Sequence, residues 1–363
     1  MKRHLIALIC LLSLCLSGCS WMDGCYLSIT PHLEQNMGVQ TKDRTASNYL
    51  QLRNVLEEMV DAGVENAVIN VADYREDLVQ VGMASAVLYT RTRYPLGAYA
   101  VKDIVYEIGI SGGQPAVSVN ISYLHGRSEI RAIAAVEDMT EVKKLVTQAL
   151  DLCSNSMVVL VKRYEATDLQ QLVEDYMQDN PNIVMEMPQV AVGVYPDAGS
   201  SRIVEVKFTY ETSRESLRQM QQQVRRTFSS AQLYINGDAT PEQKCAQLYT
   251  FLMERFDYQL QTSITPAYSL LSHGVGDNEA FAVVYAAMCR QAGLDCRVVS
   301  GTRDGKSWHW NIVREGDVNY HVDLLACYER GQFRWLPDEA MEGYVWDYTA
   351  FAPKTEQKMP PAV

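Results

Sequence analysis

Apolar residues recur at helical spacing in two parts of the chain that lie about ninety positions apart. Both stripes advance by three or four residues at a time, as one face of an amphipathic helix does. The first stripe ends at Gly63, a residue typical of a helix C-terminus. The stripes comprise Leu52, Val55, Leu56, Met59 and Val60, and Val142, Leu145, Val146, Ala149 and Leu150. This pattern predicts two equivalent helices, each at the start of a similar stretch of sequence.

A β-branched segment that ends in a tyrosine follows each of these helices, at residues 68–74 and 158–164. A second helix comes next in both stretches, and then two strands joined at a turn that contains glycine. The second helices are predicted at 76–90 and 166–179, and the turns at 111–115 and 196–199. Each stretch has the order helix, strand, helix, strand, strand, so we predict duplicated α+β modules over residues 46–236.

The end of this region is indicated by local chemistry. A third, truncated copy is predicted from a helix near 213–228 and a strand at 231–235. The turn Asn236-Gly237-Asp238 follows. Then Thr240-Pro241-Glu242-Gln243 combines an N-cap threonine, a proline at the first helical position and a capping-box glutamine. We therefore predict a domain boundary here and a second domain over residues 237–350.

The N-terminus has the pattern of an export signal. Lys2-Arg3 precedes an uncharged apolar run from Leu5 to Leu16, which is too short for a stable transmembrane helix. Leu16-Ser17-Gly18-Cys19 resembles the lipobox of bacterial lipoproteins. The resemblance implies cleavage after residue 18 and a lipid anchor on Cys19, and an uncleaved signal anchor is the alternative. We predict a signal peptide over residues 1–18.

Composition agrees with an exported globular chain. The formal charge of −12 becomes −14 once Lys2 and Arg3 leave with the signal, and such an acidic chain disfavours nucleic acid as a partner. Six cysteines remain beyond Cys19, but their spacing assigns no disulfide. Residues 19–45 are predicted to be a tether, and residues 351–363 a disordered tail.

Three short segments of the second domain resemble the transglutaminase-like family of thiol enzymes, which has a papain-like fold. Gly276–Ala282 resembles the start of the helix that carries the catalytic cysteine, but Asn278 stands at the cysteine position. Trp308–Val313 resembles the strand of the catalytic histidine, and Tyr320–Asp323 the next strand, which carries an aspartate. Gly293–Gly301 resembles the passage between that helix and the first of these strands.

The resemblance implies that Asn278, His309 and Asp323 occupy the three catalytic positions, with Asp323 orienting His309. The carboxamide of Asn278 cannot be the nucleophile. Cys289 lies eleven residues further along the same predicted helix, roughly 16 Å away at 1.5 Å per residue, which is too far to replace the missing thiol. Cys245 and Cys296 are interpreted as buried structural residues.

Two other kinds of chemistry are suggested by the same residues. His309, His321 and Asp323 invite a metal site, but three candidate ligands without a fourth favour a hydrogen-bonded cluster. Asp277 and Glu279 form a carboxylate pair around position 278, and acidic residues in a first helical turn are usually explained by the helix dipole. We therefore expect no metal and no cofactor.

Together these features predict an outward-facing lipoprotein of the bacterial cell envelope, anchored to the membrane through Cys19. Its fold class is α+β, with duplicated modules followed by a transglutaminase-like domain. The expected role is binding or scaffolding of an extracellular protein, a peptide or a cell-wall glycan. The alternative is an active hydrolase or acyl transferase that uses His309 and Asp323 with an unrecognised nucleophile.

Overall fold

The computed structural model describes residues 44–259 and 266–352. The chain divides into an N-terminal unit, Met1–Arg44, and a second unit that begins at Thr45. Every helix that is described lies in the second unit. The predicted signal peptide, the lipidation site at Cys19, nearly all of the tether and most of the C-terminal tail lie outside the described residues.

The first α+β segment follows the predicted order closely. Asn48 caps the first helix through its side chain, which accepts a hydrogen bond from the backbone N–H of Gln51, and Gly63 ends that helix in the left-handed conformation. Its elements are β1 (Arg44–Thr45), α1 (Tyr49–Ala62), β2 (Asn66–Asn70), α2 (Glu76–Thr92), α3 (Pro95–Ala100), β3 (Val101–Ser111) and β4 (Gln114–Tyr123). The three longer strands are antiparallel and lie in the order β2-β4-β3.

The second segment has a similar succession of elements, but it begins with an additional helix and has no counterpart of α3. Its elements are α4 (Arg127–Ala132), β5 (Ala134–Asp138), α5 (Met139–Asp151), β6 (Ser156–Arg163), α6 (Leu169–Asp179), β7 (Gln189–Tyr195) and β8 (Arg202–Thr209). The sheet order is β5-β6-β8-β7, so the last three strands are arranged as β2, β4 and β3 are in the first segment. The predicted α+β character is confirmed, whereas a duplication as the origin of the two segments stays a prediction.

The chain between the second sheet and the predicted boundary is one helix, α7 (Arg214–Tyr234). The predicted strand at 231–235 is wrong, because the apolar stripe of this helix continues through Phe228 and Ala231 at helical spacing. The same stripe packs against the C-terminal core, which therefore extends across residue 236. The capping box at Thr240 is present as predicted, with Gln243 bonding back to the Thr240 backbone.

The C-terminal part places one long helix against an antiparallel sheet. Its elements are α8 (Pro241–Met253), β9 (Asp257–Tyr258), the helical segment Pro266–His273, β10 (Val275–Gly276), α9 (Asn278–Gln291), β11 (Asp295–Arg303), β12 (Lys306–Glu315), β13 (Val318–Val322), α10 (Leu324–Arg330), β14 (Leu336–Pro337), the 3₁₀ turn Asp338–Ala340, β15 (Tyr344–Val345) and α11 (Tyr348–Phe351). The sheet order is β14-β13-β12-β11-β15.

The two faces of this sheet are covered by different groups. The face toward α9 buries Cys296, Val313 and Val322 in the main core. The other face buries Trp310 and Ile312 in a smaller aromatic cluster with Met341, Tyr344 and Trp346. Within residues 44–259 and 266–352, no helix has the length and apolar character to cross a bilayer.

Candidate active site

Asn278 is the first residue of α9. Asp277 caps this helix, because its side chain accepts a hydrogen bond of 2.9 Å from the backbone N–H of Ala280. The predicted helix-dipole role therefore explains Asp277. The amide nitrogen of Asn278 is buried and has no hydrogen-bond partner in the described part of the chain. An unpaired donor thus stands at the position that the resemblance assigns to the nucleophile.

His309 reaches the same place from β12. It alternates with Asn311 on one face of the strand, since side chains two residues apart point the same way. Asn311 is fully buried, and its amide nitrogen donates a 2.8 Å hydrogen bond to the carbonyl oxygen of Ala282 in α9. This bond ties the strand of His309 to the first turn and a half of the helix that Asn278 begins.

The three predicted site residues are brought together by these elements. They line one narrow cleft, which is closely packed and leaves no room for a water molecule. The residues around it are Asn278, Phe281, Ala282, His309, Trp310, Asn311, Asp323, Leu324 and Leu325. The amide oxygen of Asn311 is also buried without a partner among the described residues. One unpaired donor and one unpaired acceptor therefore belong to residues that line the same cleft.

Asp323 has contacts that the sequence did not suggest. One carboxylate oxygen accepts hydrogen bonds from the Trp308 indole at 2.8 Å and from the Tyr344 hydroxyl at 2.6 Å. The other accepts the backbone N–H of Ala326 at 3.0 Å and so caps α10. A guanidinium nitrogen of Arg303 lies 3.6 Å from the first oxygen. The carboxylate is therefore satisfied without His309, whose ring makes no hydrogen bond to any described residue.

Arg303 balances the buried charge of Asp323. Its other terminal nitrogen is 2.7 Å from Glu329, and its guanidinium lies over the Trp308 ring, 5.2 Å from the centroid. Tyr344 is drawn into the same network: burial first, and then the nearby Asp323, raise the pKa of its hydroxyl. A neutral Tyr344 keeps the proton that it donates to Asp323.

All thiols in the described residues are buried, and none of them forms a disulfide bond. Cys289 is fully enclosed, and burial raises the pKa of its thiol well above the usual range. Burial also raises the pKa of Cys327, to about 11. The predicted structural interpretation agrees with the positions of Cys245 and Cys296, both of which lie in the main core. A buried, protonated thiol is a poor nucleophile.

His321 is engaged on both ring nitrogens. Nδ1 accepts a hydrogen bond of 2.8 Å from the Trp310 indole, so the proton lies on Nε2, which is 2.7 Å from the Asp338 carboxylate. Burial lowers the pKa of His321, and Asp338 only partly offsets this. Neither nitrogen has a free lone pair, so His321 belongs to a hydrogen-bonded cluster. The described part of the chain holds no group of residues arranged to bind a metal.

The arrangement presents unpaired polar atoms but lacks a nucleophile. Among the residues that line the cleft within the described chain, none is Ser, Thr, Cys or Lys. The partners of Asp323 were missed by the sequence argument, because Tyr344 and Arg303 reach it from strands that are distant in sequence. The only local sign was Trp308, which precedes His309 in the strand.

Comparison with known proteins gives a family for this region. The profile of the transglutaminase-like superfamily matches residues 229–346. No curated protein matches the sequence.

Three solved structures are similar at low identity. A TGase is 10% identical, with a TM-score of 0.27 over 59% of this chain and 62% of that one. A candidate cysteine protease from Cytophaga hutchinsonii is 10% identical, with a TM-score of 0.26 over 53% of this chain and 73% of that one. A candidate protease from Parabacteroides distasonis is 9% identical, with a TM-score of 0.21 over 75% of this chain and 39% of that one. The chain thus spans less than two thirds of the first and third of these proteins. Residues 229–346 form a transglutaminase-like domain.

Proposed function

We propose that the transglutaminase-like domain binds its ligand and does not transform it. The observation that carries this proposal is Asn278 at the first position of α9, where the family resemblance places a cysteine. A carboxamide nitrogen has its lone pair delocalised into the carbonyl group and does not attack an acyl carbon. The helix dipole, which stabilises a thiolate at this position, has no anion to act on.

The buried thiols support the same conclusion. Cys289 lies on α9 but eleven residues later, which corresponds to roughly 16 Å along the helix axis. It is fully buried, with a raised pKa. Cys153, Cys245 and Cys296 lie in the main core. Cys327 borders a cavity, but burial raises the pKa of its thiol to about 11 and keeps it protonated. The alternative, an active hydrolase, would need a nucleophile from outside the cleft lining.

The polar atoms of the cleft indicate what it would bind once its closely packed walls move apart to admit a ligand. Asn278 offers an unpaired N–H, Asn311 an unpaired carbonyl oxygen, and His309 a ring without a described partner. Groups that both donate and accept hydrogen bonds, such as peptide or acetamido groups, satisfy this set. A protein, a peptide or a cell-wall glycan carries such groups, and this is the class of partner that we propose.

We further propose that the protein is a lipoprotein held at the outer surface of a bacterial membrane through Cys19. The motif Leu16-Ser17-Gly18-Cys19 and the apolar run before it support this location. An anchored binding domain would hold its partner close to the membrane without releasing a product.

An activity assay and a binding assay together distinguish ligand binding from hydrolysis or acyl transfer. The full chain is given a fluorescent amine with a glutamine-rich acceptor protein, and separately a mixture of peptide substrates. We expect no amine incorporation and no hydrolysis, together with binding to a peptide or glycan array that weakens in His309→Ala. Turnover by the wild-type protein that is lost in His309→Ala would overturn the proposal and establish the enzyme.

A further inference from the structure

A second cavity borders Asp323, which also lines the cleft. Its volume is about 340 Å³, within the range of sites that bind small molecules. Residues between His321 in β13 and Tyr344 in β15 line it. The polar side chains at its wall are those of His321, Asp323, Cys327, Arg330, Arg334, Glu342 and Tyr344. Ala326, Leu336, Ala340 and Met341 supply the apolar part.

Two of these charges have no partner of opposite sign. Arg330 and Arg334 make no side-chain ion pair or hydrogen bond to any described residue. Arg330 belongs to the last turn of α10, where a cation is stabilised by the helix dipole, but its side chain lines the cavity. The positive charges of both arginines act on the thiol of Cys327 and oppose the rise of its pKa. Both residues line the same cavity, Arg330 from an exposed position and Arg334 from a half-buried one.

The acidic residues of the wall do not neutralise this pair. Asp323 is already satisfied by Trp308, Tyr344, the Ala326 backbone and Arg303. Glu342 is exposed, as Arg330 is, and makes no ion pair with a described residue. His321 is neutral, because its one ring proton is directed to Asp338. The wall carries two carboxylates and two guanidinium groups, but Arg330 and Arg334 are left without an ion pair, next to a small apolar surface.

We propose that this cavity binds a small organic anion, whose carboxylate or phosphate group is held by Arg330 and Arg334. Guanidinium groups bind both kinds of oxyanion through paired, charge-assisted hydrogen bonds. The apolar wall takes a short carbon chain beside the anionic group. The cavity shares Asp323 with the cleft, but Arg330 and Arg334 do not line the cleft, so anion binding does not depend on whether the cleft is inactive.

The test is calorimetric titration of the full chain in mild detergent at constant ionic strength. The probes are inorganic phosphate, N-acetylalanine as a carboxylate, and the uncharged N-acetylalaninamide. We expect at least one anion to bind and the amide not to bind. The double variant Arg330→Gln/Arg334→Gln should bind the anion about tenfold more weakly, or worse, because it lacks both charged donors.

A matched control is provided by Arg225 and Arg226, which are exposed on α7. Arg225→Gln/Arg226→Gln removes the same charge at a distant place and should keep the wild-type affinity. Equal binding of the amide, no binding of either anion, or equal losses in the two double variants would overturn the proposal. If the cavity double variant does not fold, Arg330→Gln and Arg334→Gln are titrated singly, and wild-type affinity in both also overturns it.

Discussion

The indole of Trp308 donates a 2.8 Å hydrogen bond to the carboxylate of Asp323. In the family that this domain resembles, the aspartate at this position orients the catalytic histidine. Here the carboxylate is held by an aromatic residue next to His309 in sequence, by Tyr344 and by Arg303. Asp323 therefore has a structural role that does not require any chemistry at position 278.

Replacing Asp323 should destabilise the domain much more than replacing His309. Asp323→Ala leaves two partly buried donors, Trp308 and Tyr344, without their acceptor and removes the cap of α10, so we expect a loss of about 3–5 kcal/mol in the free energy of unfolding. His309→Ala breaks no described hydrogen bond and should cost less than about 1 kcal/mol. Urea unfolding followed by tryptophan fluorescence measures both. Similar costs for the two variants would show that His309 and Asp323 act as a pair.

Asn278→Cys should create a reactive thiol. The N-terminus of α9 favours an anion at this position, so we expect the introduced thiol to titrate below the value of about 8.5 for a free cysteine. The measurement is the rate of alkylation against pH. Asn278→Cys/His309→Ala is the matched control and should titrate higher if the imidazole contributes. Cys289 provides an internal comparison, because it is buried and should react only after unfolding. A thiol that titrates like a free one would contradict the predicted geometry of the cleft.

Stability should decrease in mild acid because of His321. Burial lowers its pKa in the folded protein, so protonation favours the unfolded chain, in which the value is about 6.5. The stabilising contribution of the neutral ring is complete above about pH 6.5 and is lost as the pH falls below it. His321→Gln keeps one donor and one acceptor but cannot titrate. Its thermal midpoint should change less between pH 8 and pH 5 than that of the wild-type protein.

His273 serves as the control for this experiment, because it is exposed. His273→Gln should show the wild-type pH dependence. If His321→Gln and the wild-type protein lose stability to the same extent in acid, groups other than His321 cause the loss.

The helix α7 should be needed for the C-terminal domain to fold alone. Its buried face packs against the core of that domain. A fragment of residues 211–352 should therefore unfold cooperatively, whereas residues 237–352 should expose apolar surface and bind a hydrophobic dye. Within the longer fragment, Phe228→Ala should cost about 3–5 kcal/mol. A stable, cooperative fragment 237–352 would support the boundary predicted from the turn at Asn236.

Cys19→Ser should abolish the incorporation of labelled fatty acid and release the protein from the membrane fraction. A buried acyl chain contributes about 0.8 kcal/mol per CH₂ group to membrane binding, so its loss is sufficient for release. Cys25→Ser removes a thiol six residues further on and should leave the labelling unchanged. Equal labelling of wild type and Cys19→Ser would exclude this cysteine as the lipid attachment site.

Features set by short stretches of chain could be predicted from the sequence. The stripe that ends at Gly63 and the capping box at Thr240 depend on residues within one or two helical turns, and both are present. The strand predicted at 231–235 was wrong. Of its alternating apolar residues, Ala231 lies on the buried face of α7 but Leu233 is 88% exposed, and packing of that face against the C-terminal core favours the helix.

The contacts around the site could be predicted less well from the sequence. The three family segments indicated where Asn278, His309 and Asp323 would meet, because short motifs preserve their order along the chain. The partners of Asp323 could not be deduced, since Arg303 and Tyr344 are brought to it by strand pairing between β11 and β15. The second cavity could not be deduced either, because Arg330 and Arg334 come after the family segments in the sequence and belong to no recognised motif.

The cap that Asp323 forms on α10 has a consequence for how such domains are classified. An aspartate that begins a helix and holds two buried side chains is costly to lose, whether or not a thiol remains nearby. Because Asp323 supports the fold as well as the site, an aspartate at this position in a transglutaminase-like sequence does not by itself indicate activity. Activity has to be judged from the residue at the start of the site helix.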